Sequence, residues 1–435
     1  MKKVILSAAA LMFGMVTFAQ NTSDLDQLGD SNEATITQTG SNTSDVDQSG
    51  TSNDAIVDQD GAGNNSTVMQ AGNVSALSGE NNSAEVTQDG DDNNSNVWQN
   101  GDMNTSTVMQ DGDDNNANVE VGGLTSTNGQ AQGNTSSIDQ EGDNNDAYQR
   151  QQYDNNTVSM IQDGNNNVSE QWQDSSPDGS AGNIANGEQI GNGNELFQDQ
   201  DGHNNTANSY QGEASFLSLN HSANGMVEQI QNGEGNTATA QQQSLSNEIY
   251  QNQVGDNNIA TADQNVGYFN GVGGNDIDQD QIGNGNSADA DQSGLLGALN
   301  NIVQMQDGNG NEVTATQSGT VGTLNEVYQD QVGNGHTATA IQGGSNGISN
   351  YIDQDQLGGN GNTATSSQFG DNNYAKTYQD GNTNISGIAQ NGDNNEAWDV
   401  QTGDFNTAST SQTGNGHWSE NTQAGNTNSI IVTQN

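Results

Sequence analysis

Asn325-Glu-Val-Tyr-Gln-Asp-Gln331-Val-Gly-Asn-Gly-His336-Thr-Ala-Thr-Ala-Ile-Gln342 reads as a strand, a short Gly-Asn-Gly arc and a second strand. Each half opens on Asn (His at 336), carries a small or aliphatic residue two positions on, reaches Gln at the sixth, and is followed by Gly. The rule recurs at Asn32-Glu-Ala-Thr-Ile-Thr-Gln38, at Asn53-Asp-Ala-Ile-Val-Asp-Gln59, and onward to the end of the chain. Unit starts fall at Asn21, Asn32, Asn42, Asn53, Asn64, Asn73, Asn82, Asn93, Asn104 and Asn115, and the count reaches about three dozen by Asn428. Self-similarity at a short fixed period is the mark of a stacked repeat architecture, in which each unit is stabilised by its neighbours.

Within a unit the Asn and the residues at +2, +4 and +6 form one set, and along a strand such residues share a face. That set is uniform: Asn93, Ser95, Val97, Gln99; Asn258, Ala260, Ala262, Gln264; Asn428, Ile430, Val432, Gln434. The residues at +1, +3 and +5 mix Thr, Asp, Glu, Ser and aromatics, as a solvent face does. The predicted fold is all-β: a two-sheet β-solenoid of strand-arc-strand repeats with amyloid-like cross-β stacking. In such a coil equivalent residues stack at about 4.8 Å, so inward amides meet their own kind. The residues expected to form these structural ladders include Asn32, Gln38, Asn53, Gln59, Asn93, Gln99, Asn258, Gln264, Asn286, Gln292, Asn325, Gln331, Gln342, Asn350, Gln356, Asn428 and Gln434. A side-chain amide has both a donor and an acceptor to offer such a ladder, which offsets the cost of burying it.

From Asn183 to Gln368 the inward pairs alternate large and small, as in Ile277/Gln279 against Ala288/Ala290 and Val327/Gln329 against Ala338/Ala340. Bulky residues of one face are expected to meet small ones of the other. The longer connections, such as Gln292 to Gln306 and Gln317 to Gln331, lead from small-pair to large-pair strands, which predicts one loop-bearing edge. The step from Gln173 to Gln189, with the sole proline Pro177, falls on the other edge. Gly79 and Val121 stand where Gln is expected, and residues 122–133 read as an irregular unit or bulged loop.

Composition alone would suggest disorder, with 28% hydrophobic residues and 56 glycines, but the strict period overrides that reading. There is no cysteine, so no disulfide holds the fold. Residues 1–19, with Lys2, Lys3 and the apolar run from Val4 to Phe18, are predicted to be a secretory signal peptide, leaving 20–435 as the repeat domain. Arg150 and Lys376 then face 56 acidic residues, a balance that disfavours nucleic acid and anionic membranes as partners. His203, His221, His336 and His417 are far apart in the repeat, and no nucleophile or metal cluster has a fixed spacing. No catalytic residue, cofactor or dedicated metal site is therefore expected. Acidic arcs such as Asp89-Gly-Asp-Asp92 and Asp111-Gly-Asp-Asp114 keep calcium binding as an alternative, although the nine-residue register of calcium rolls is absent. The aromatics at odd offsets, among them Trp98, Tyr250, Tyr328, Tyr351, Tyr374, Trp398 and Trp418, are expected on the exposed face.

Gln331-Val-Gly-Asn-Gly-His-Thr-Ala-Thr-Ala-Ile-Gln342 and Gln281-Ile-Gly-Asn-Gly-Asn-Ser-Ala-Asp-Ala-Asp-Gln292 resemble the curlin repeat, Gln-x-Gly-x-Gly-Asn-x-Ala-x-x-x-Gln. The resemblance implies the major curli subunit type: a secreted β-solenoid that passes through a dedicated outer-membrane pore. It further implies polymerisation with its own kind, with the help of a nucleator subunit, into an extracellular amyloid fibre at the bacterial cell surface, in biofilm and adhesion. Here the repeats begin at Asn21, where curlins keep a non-repeat segment, and they are more numerous. An enzyme is the least favoured reading. The alternative is a monomeric secreted β-solenoid adhesin that binds calcium or ice.

Overall fold

The computed structural model describes residues 20–72, 79–122, 131–175, 181–212, 222–243, 245–266, 273–294, 298–319, 322–344 and 347–435. The predicted signal peptide and Pro177 lie outside them. Among the described residues the chain is all-β, with no helix. It divides into two compact units, Met1–Asn205 and Thr206–Asn435.

In the first unit each strand pairs in parallel with the strand one full turn on. Strand stretch 54–60 lies beside Ser83–Asp89, which lies beside Thr105–Asp111, then Thr135–Glu141, Thr157–Asp163 and Ile184–Asn192. The intervening strands form a second parallel series: 65–71, Asn94–Asp102, Asn116–Val121, Asp146–Gln152, Val168–Asp174 and Glu195–His203. Two interleaved ladders of this kind make a β-solenoid. The second unit repeats the arrangement, with one ladder running from Met226–Glu234 to Trp418–Ala424 and the other from Thr206–Gln211 to Ser429–Gln434. Pairing is in register, Gln opposite Gln and Gly opposite Gly, so the sequence period and the helical turn of the coil coincide. A one-residue slip would turn the amides outward and the acids inward, which fixes the register.

Burial alternates residue by residue along nearly every strand, with inward side chains almost wholly shielded. In the second unit Val227, Ile249, Ile277, Ile302, Val327 and Ile352 stack on one ladder while Ala238, Ala260, Ala288, Val313, Ala338 and Ala364 stack on the other. All are buried, and the large series complements the small one across a thin core. Where the longer connections return, Ala298 bridges to Thr323 and Thr323 to Ile348, so these returns share one edge.

One feature of the sequence reading is corrected, and two stretches of it fall wholly or mostly outside the described residues. The unit start read at Asn73 lies with 73–78 outside the described residues; the described pairing steps from 54–60 to Ser83–Asp89 and from 65–71 to Asn94–Asp102. Gly79 does not replace a Gln; its carbonyl accepts the Asn53 amide at 2.8 Å, the role of an arc glycine. Of the irregular stretch 122–133, residues 123–130 lie outside the described residues, and Ala131–Gln132 form a two-residue strand beside Gly101 and Asp102.

Candidate functional site

Each ladder glutamine donates one Nε2 hydrogen to the Oε1 of the glutamine on the next rung of its ladder. Gln38 donates to Gln59 at 2.8 Å, Gln59 to Gln88 at 2.7 Å, and the series continues through Gln110, Gln140, Gln162 and Gln189. In the second unit Gln264 donates to Gln292 and Gln292 to Gln317, each at 3.0 Å, and the line runs through Gln342, Gln368, Gln390, Gln412 and Gln434. Gln331 donates to Gln356 at 2.7 Å and Gln356 to Gln379 at 2.9 Å. The second Nε2 hydrogen crosses the core to a backbone carbonyl of the facing ladder, as from Gln342 to Glu326 at 2.9 Å. Glutamines at the +4 position build a further line, Gln229 through Gln251, Gln279, Gln304 and Gln329 to Gln354. These buried amides are thus donors on both hydrogens and acceptors on the oxygen, which is what burial of an amide demands.

The asparagines do something different from forming a simple amide stack. Their Oδ1 accepts the backbone N–H of the next-rung asparagine, as Asn42 does for Asn64 at 3.1 Å and Asn258 for Asn286 at 2.9 Å. Their Nδ2 reaches an arc carbonyl of the next rung. Asn32 reaches Gly50 at 3.2 Å, Asn93 Gly112 at 2.6 Å, Asn258 Gly283 at 2.8 Å and Asn286 Gly308 at 2.9 Å. Asn325 and Asn350 likewise reach Gly347 and Gly370, both at 2.8 Å, and each also donates to the preceding ladder asparagine at 3.2 Å. Asn428, on the last rung, donates to Asn406 at 3.0 Å. The side chain therefore ties the strand start to the arc above it. The arc requires glycine at this point: Gly112 has φ 124°, and a Cβ there would sit 2.2 Å from the Gly142 carbonyl oxygen.

A third series was not read from the sequence. The residue after the arc glycine, Asn or Asp, accepts the backbone N–H of its counterpart one turn earlier: Ala62 donates to Asp91 at 2.8 Å, Asp91 to Asp113 at 2.8 Å, Asp113 to Asp143 at 3.0 Å and Asp143 to Asn165 at 2.7 Å. The acidic arcs that suggested calcium are engaged in this way. The recurring Gly-[Asn/Asp] pair was the available signal. Among the described residues no group of three or more His, Cys, Asp or Glu is placed to hold a metal.

The ladders have exceptions. At Val121 the glutamine line of the first unit is interrupted: Gln99 and Gln151 both lie opposite Val121 in register. The Gln99 amide turns across the core to the Ser106 hydroxyl at 2.9 Å, and Gln151 Oε1 is buried with no partner. His336 takes an asparagine position: its N–H donates to Asn311 Oδ1 at 3.0 Å and its Nδ1 accepts from the Asn362 N–H at 3.2 Å. Burial lowers its pKa, in keeping with a neutral ring. Asp399 is a fully buried carboxylate held by Asn421 at 2.7 Å, Ser386 at 2.9 Å and Thr410 at 3.0 Å, and burial raises its pKa against those three hydrogen bonds.

On the outer faces, Tyr328, Tyr351, Tyr374 and Trp398 lie on successive rungs of one ladder, with ring centroids 5.6, 4.9 and 5.9 Å apart. They are half-buried by stacking on each other, whereas Trp418 is exposed. Lys376 lies in the same row and bonds Asp353 and, at 3.2 Å, Asp355. Stacked acids repel: burial, Glu248 and Asp278 together push Asp276 up to about 6. His203 and His417 are remote from these groups in the repeat. No helix of the described residues is long and apolar enough to cross a membrane.

The family model for the curlin associated repeat matches residues 19–50, 41–72, 79–112 and 370–397. No curated protein matches the chain in sequence. The four matched stretches fall on the parallel rungs whose asparagines, glutamines and arc glycines have just been described, and the same geometry recurs between them; the chain carries curlin associated repeats.

Proposed function

We propose that the chain is the building block of an extracellular curli-like fibre, in which copies stack head to tail and continue one molecule's ladders into the next. The repeats and the solenoid fit a structural subunit. The polarity of the amide lines carries the reading further. In both units every glutamine in these lines donates toward later rungs and accepts from earlier ones, and every asparagine Oδ1 accepts from a later N–H. The outermost described rungs thus end in complementary sets. Strand Thr22–Asp30 and stretch 33–41 pair on one side only, and so do Trp418–Ala424 and Ser429–Gln434. Gln27 and Gln38 donate inward to Gln48 and Gln59, leaving Oε1 for a donor beyond the first rung, while Gln434, with one Nε2 hydrogen on the Trp418 carbonyl, keeps the other for an acceptor beyond the last. An open strand edge templates addition of another strand, and a contact between two different surfaces that does not close on itself makes a fibre.

On this reading the asparagine and glutamine ladders are what set register, within and between copies, in a cross-β stack of two facing sheets. Residues 1–19 act as an export signal, and a secretion pore and a nucleator subunit complete the pathway to the cell surface, where the fibre serves biofilm and adhesion. The purified chain should convert to material that binds thioflavin and gives fibre diffraction at about 4.7–4.8 Å along its axis. A chain that stays soluble with neither signal refutes the proposal.

A further inference from the structure

Over the last rungs of the second unit the two outer faces differ in charge. On the five consecutive strands Thr337–Gly343, Thr363–Phe369, Ile385–Asn391, Thr407–Thr413 and Ser429–Gln434, no outward residue carries a carboxylate or an amine. The face is made of Thr, Ser, Ala, Gly, aliphatics, Phe369 and Asn391, with Thr339, Thr365, Ser409 and Ile385 among its exposed or half-exposed residues. Over the same rungs the other ladder presents Asp353, Asp355, Glu396, Glu420 and Lys376. In a chain with 56 acidic residues, a five-strand surface without one is a marked departure. The arc acids Asp371, Asp393 and Asp404 lie beside it, each accepting a backbone N–H from the turn before.

We propose that this neutral face is the seam along which two fibres of this chain pair side by side, each fibre laying the same face of its subunits on that of the other. The proposal rests on the fibre reading above. A pairing that uses the acidic face of these rungs strips carboxylates of water, and where two such faces meet it also sets like charges together, a cost that attraction does not offset. Here two pleated surfaces of small and β-branched residues can meet face to face, as stacked sheets do, with the arc acids left as a wet rim. The occupant is set by area. Five strands at about 4.8 Å, each some seven residues at about 3.3 Å, give roughly 500 Å². That is below the roughly 800 Å² per partner of a stable pair, so isolated subunits do not dimerise through it. A fibre repeats the patch at every subunit, and the contacts add through avidity. Pairing is therefore a property of fibres.

The test is the double variant Thr365→Asp with Ser409→Asp, whose new carboxylates stand two rungs apart in the middle of the face. The control is Thr422→Asp with Val303→Asp, which adds the same charge to the opposite ladder. Assembly is followed by thioflavin, filament width by electron microscopy, and bundling by low-speed sedimentation. Wild-type and control fibres are expected to be paired. The double variant should assemble at the control's rate, with the same diffraction, but as single filaments, its sedimented fraction reduced by about tenfold or more. Three results overturn the proposal: unpaired wild-type fibres, paired double-variant fibres, or equal loss of pairing in the control, which would make net charge the cause. A wild-type chain that forms no fibre overturns the fibre reading itself.

Discussion

Val121 is the place where the amide line of the first unit can be tested by repair. Replacing it with Gln supplies an Oε1 for the Gln99 amide, now turned to Ser106, and an Nε2 for the buried Gln151 Oε1, which has no partner. An unsatisfied buried acceptor costs about 1–3 kcal/mol, and each regained amide hydrogen bond contributes about 0.5–1.5 kcal/mol. Against this stands the loss of a fully buried valine, about 1.5 kcal/mol if its apolar surface were wholly forfeited, although the Gln stem retains part of it. The two side chains are close in volume, so overpacking is small. The net expectation is stabilisation by about 1–2 kcal/mol, felt locally because solenoid rungs depend on their neighbours. Hydrogen exchange of the amides in Asn94–Asp102, Asn116–Val121 and Asp146–Gln152 should slow by roughly 5- to 30-fold. The mirror experiment is Gln88→Val, which creates the same gap between Gln59 and Gln110 and should speed exchange there by a comparable factor. If Val121→Gln is neutral or destabilising while Gln88→Val is tolerated, apolar burial rather than amide pairing holds the rungs, and the ladder argument fails.

Acidification from pH 7.5 to 5.5 should speed assembly. The folded pKa of Asp276, about 6, exceeds the ordinary aspartate value of 3.8, so this contribution is present in full below 3.8 and lost as pH rises through 6; Asp276→Asn should flatten the thioflavin rate profile in that window. His336 acts in the opposite sense. Its pKa is lowered from 6.5, so its contribution is complete above 6.5 and falls away under acid, where a proton on Nδ1 would oppose the Asn362 N–H; His336→Asn should slow exchange at that rung at pH 5 but not at pH 8. Gly112→Ala forces a side chain into a left-handed backbone and against the Gly142 carbonyl, and should cost at least about 1–3 kcal/mol, read as a drop in the first unit's denaturation midpoint.

The parallel solenoid was legible because its two determinants are local and periodic. Alternation over seven residues specifies a strand, and arcs of four residues joining strands of equal length leave a coil as the way to put like beside like, as at Gln281, Gln306 and Gln331. The count of rungs was less legible. Gly79 falls six residues after Asn73, where the rule expects Gln, yet its carbonyl serves the Asn53 amide as an arc glycine does, and spacing alone does not tell the two roles apart. The asparagine bonds were hidden for a different reason. Side-chain amide to amide and side-chain amide to backbone carbonyl need the same residue at the same spacing, and only the arc's path decides between them. Likewise the division of the last rungs of the second unit into an acidic, aromatic face and a neutral one appears only when units are sorted by parity. Read consecutively, Thr337 and Thr339 are followed by Tyr351, Asp353 and Asp355, and the two chemistries blur into one mixed surface.

The polarity of the ladders constrains what a second copy can do more tightly than an open edge does. A bare parallel edge accepts strands of many sequences, which is why exposed edges are hazards. Here a rung added in the same sense finds Nε2 facing Oε1 and N–H facing Oδ1 at every position, as Gln412 finds Gln434 and Asn406 finds Asn428. A rung added in the reversed sense would set Nε2 against Nε2 inside a core with no water to satisfy either, at a few kcal/mol for each buried pair. A foreign strand with an aliphatic residue at the Gln position repeats the Val121 defect, an orphaned acceptor on one side and a displaced donor on the other. Discrimination against wrong partners then comes from the same amides that hold the right ones, and it grows with each rung that tries to pair.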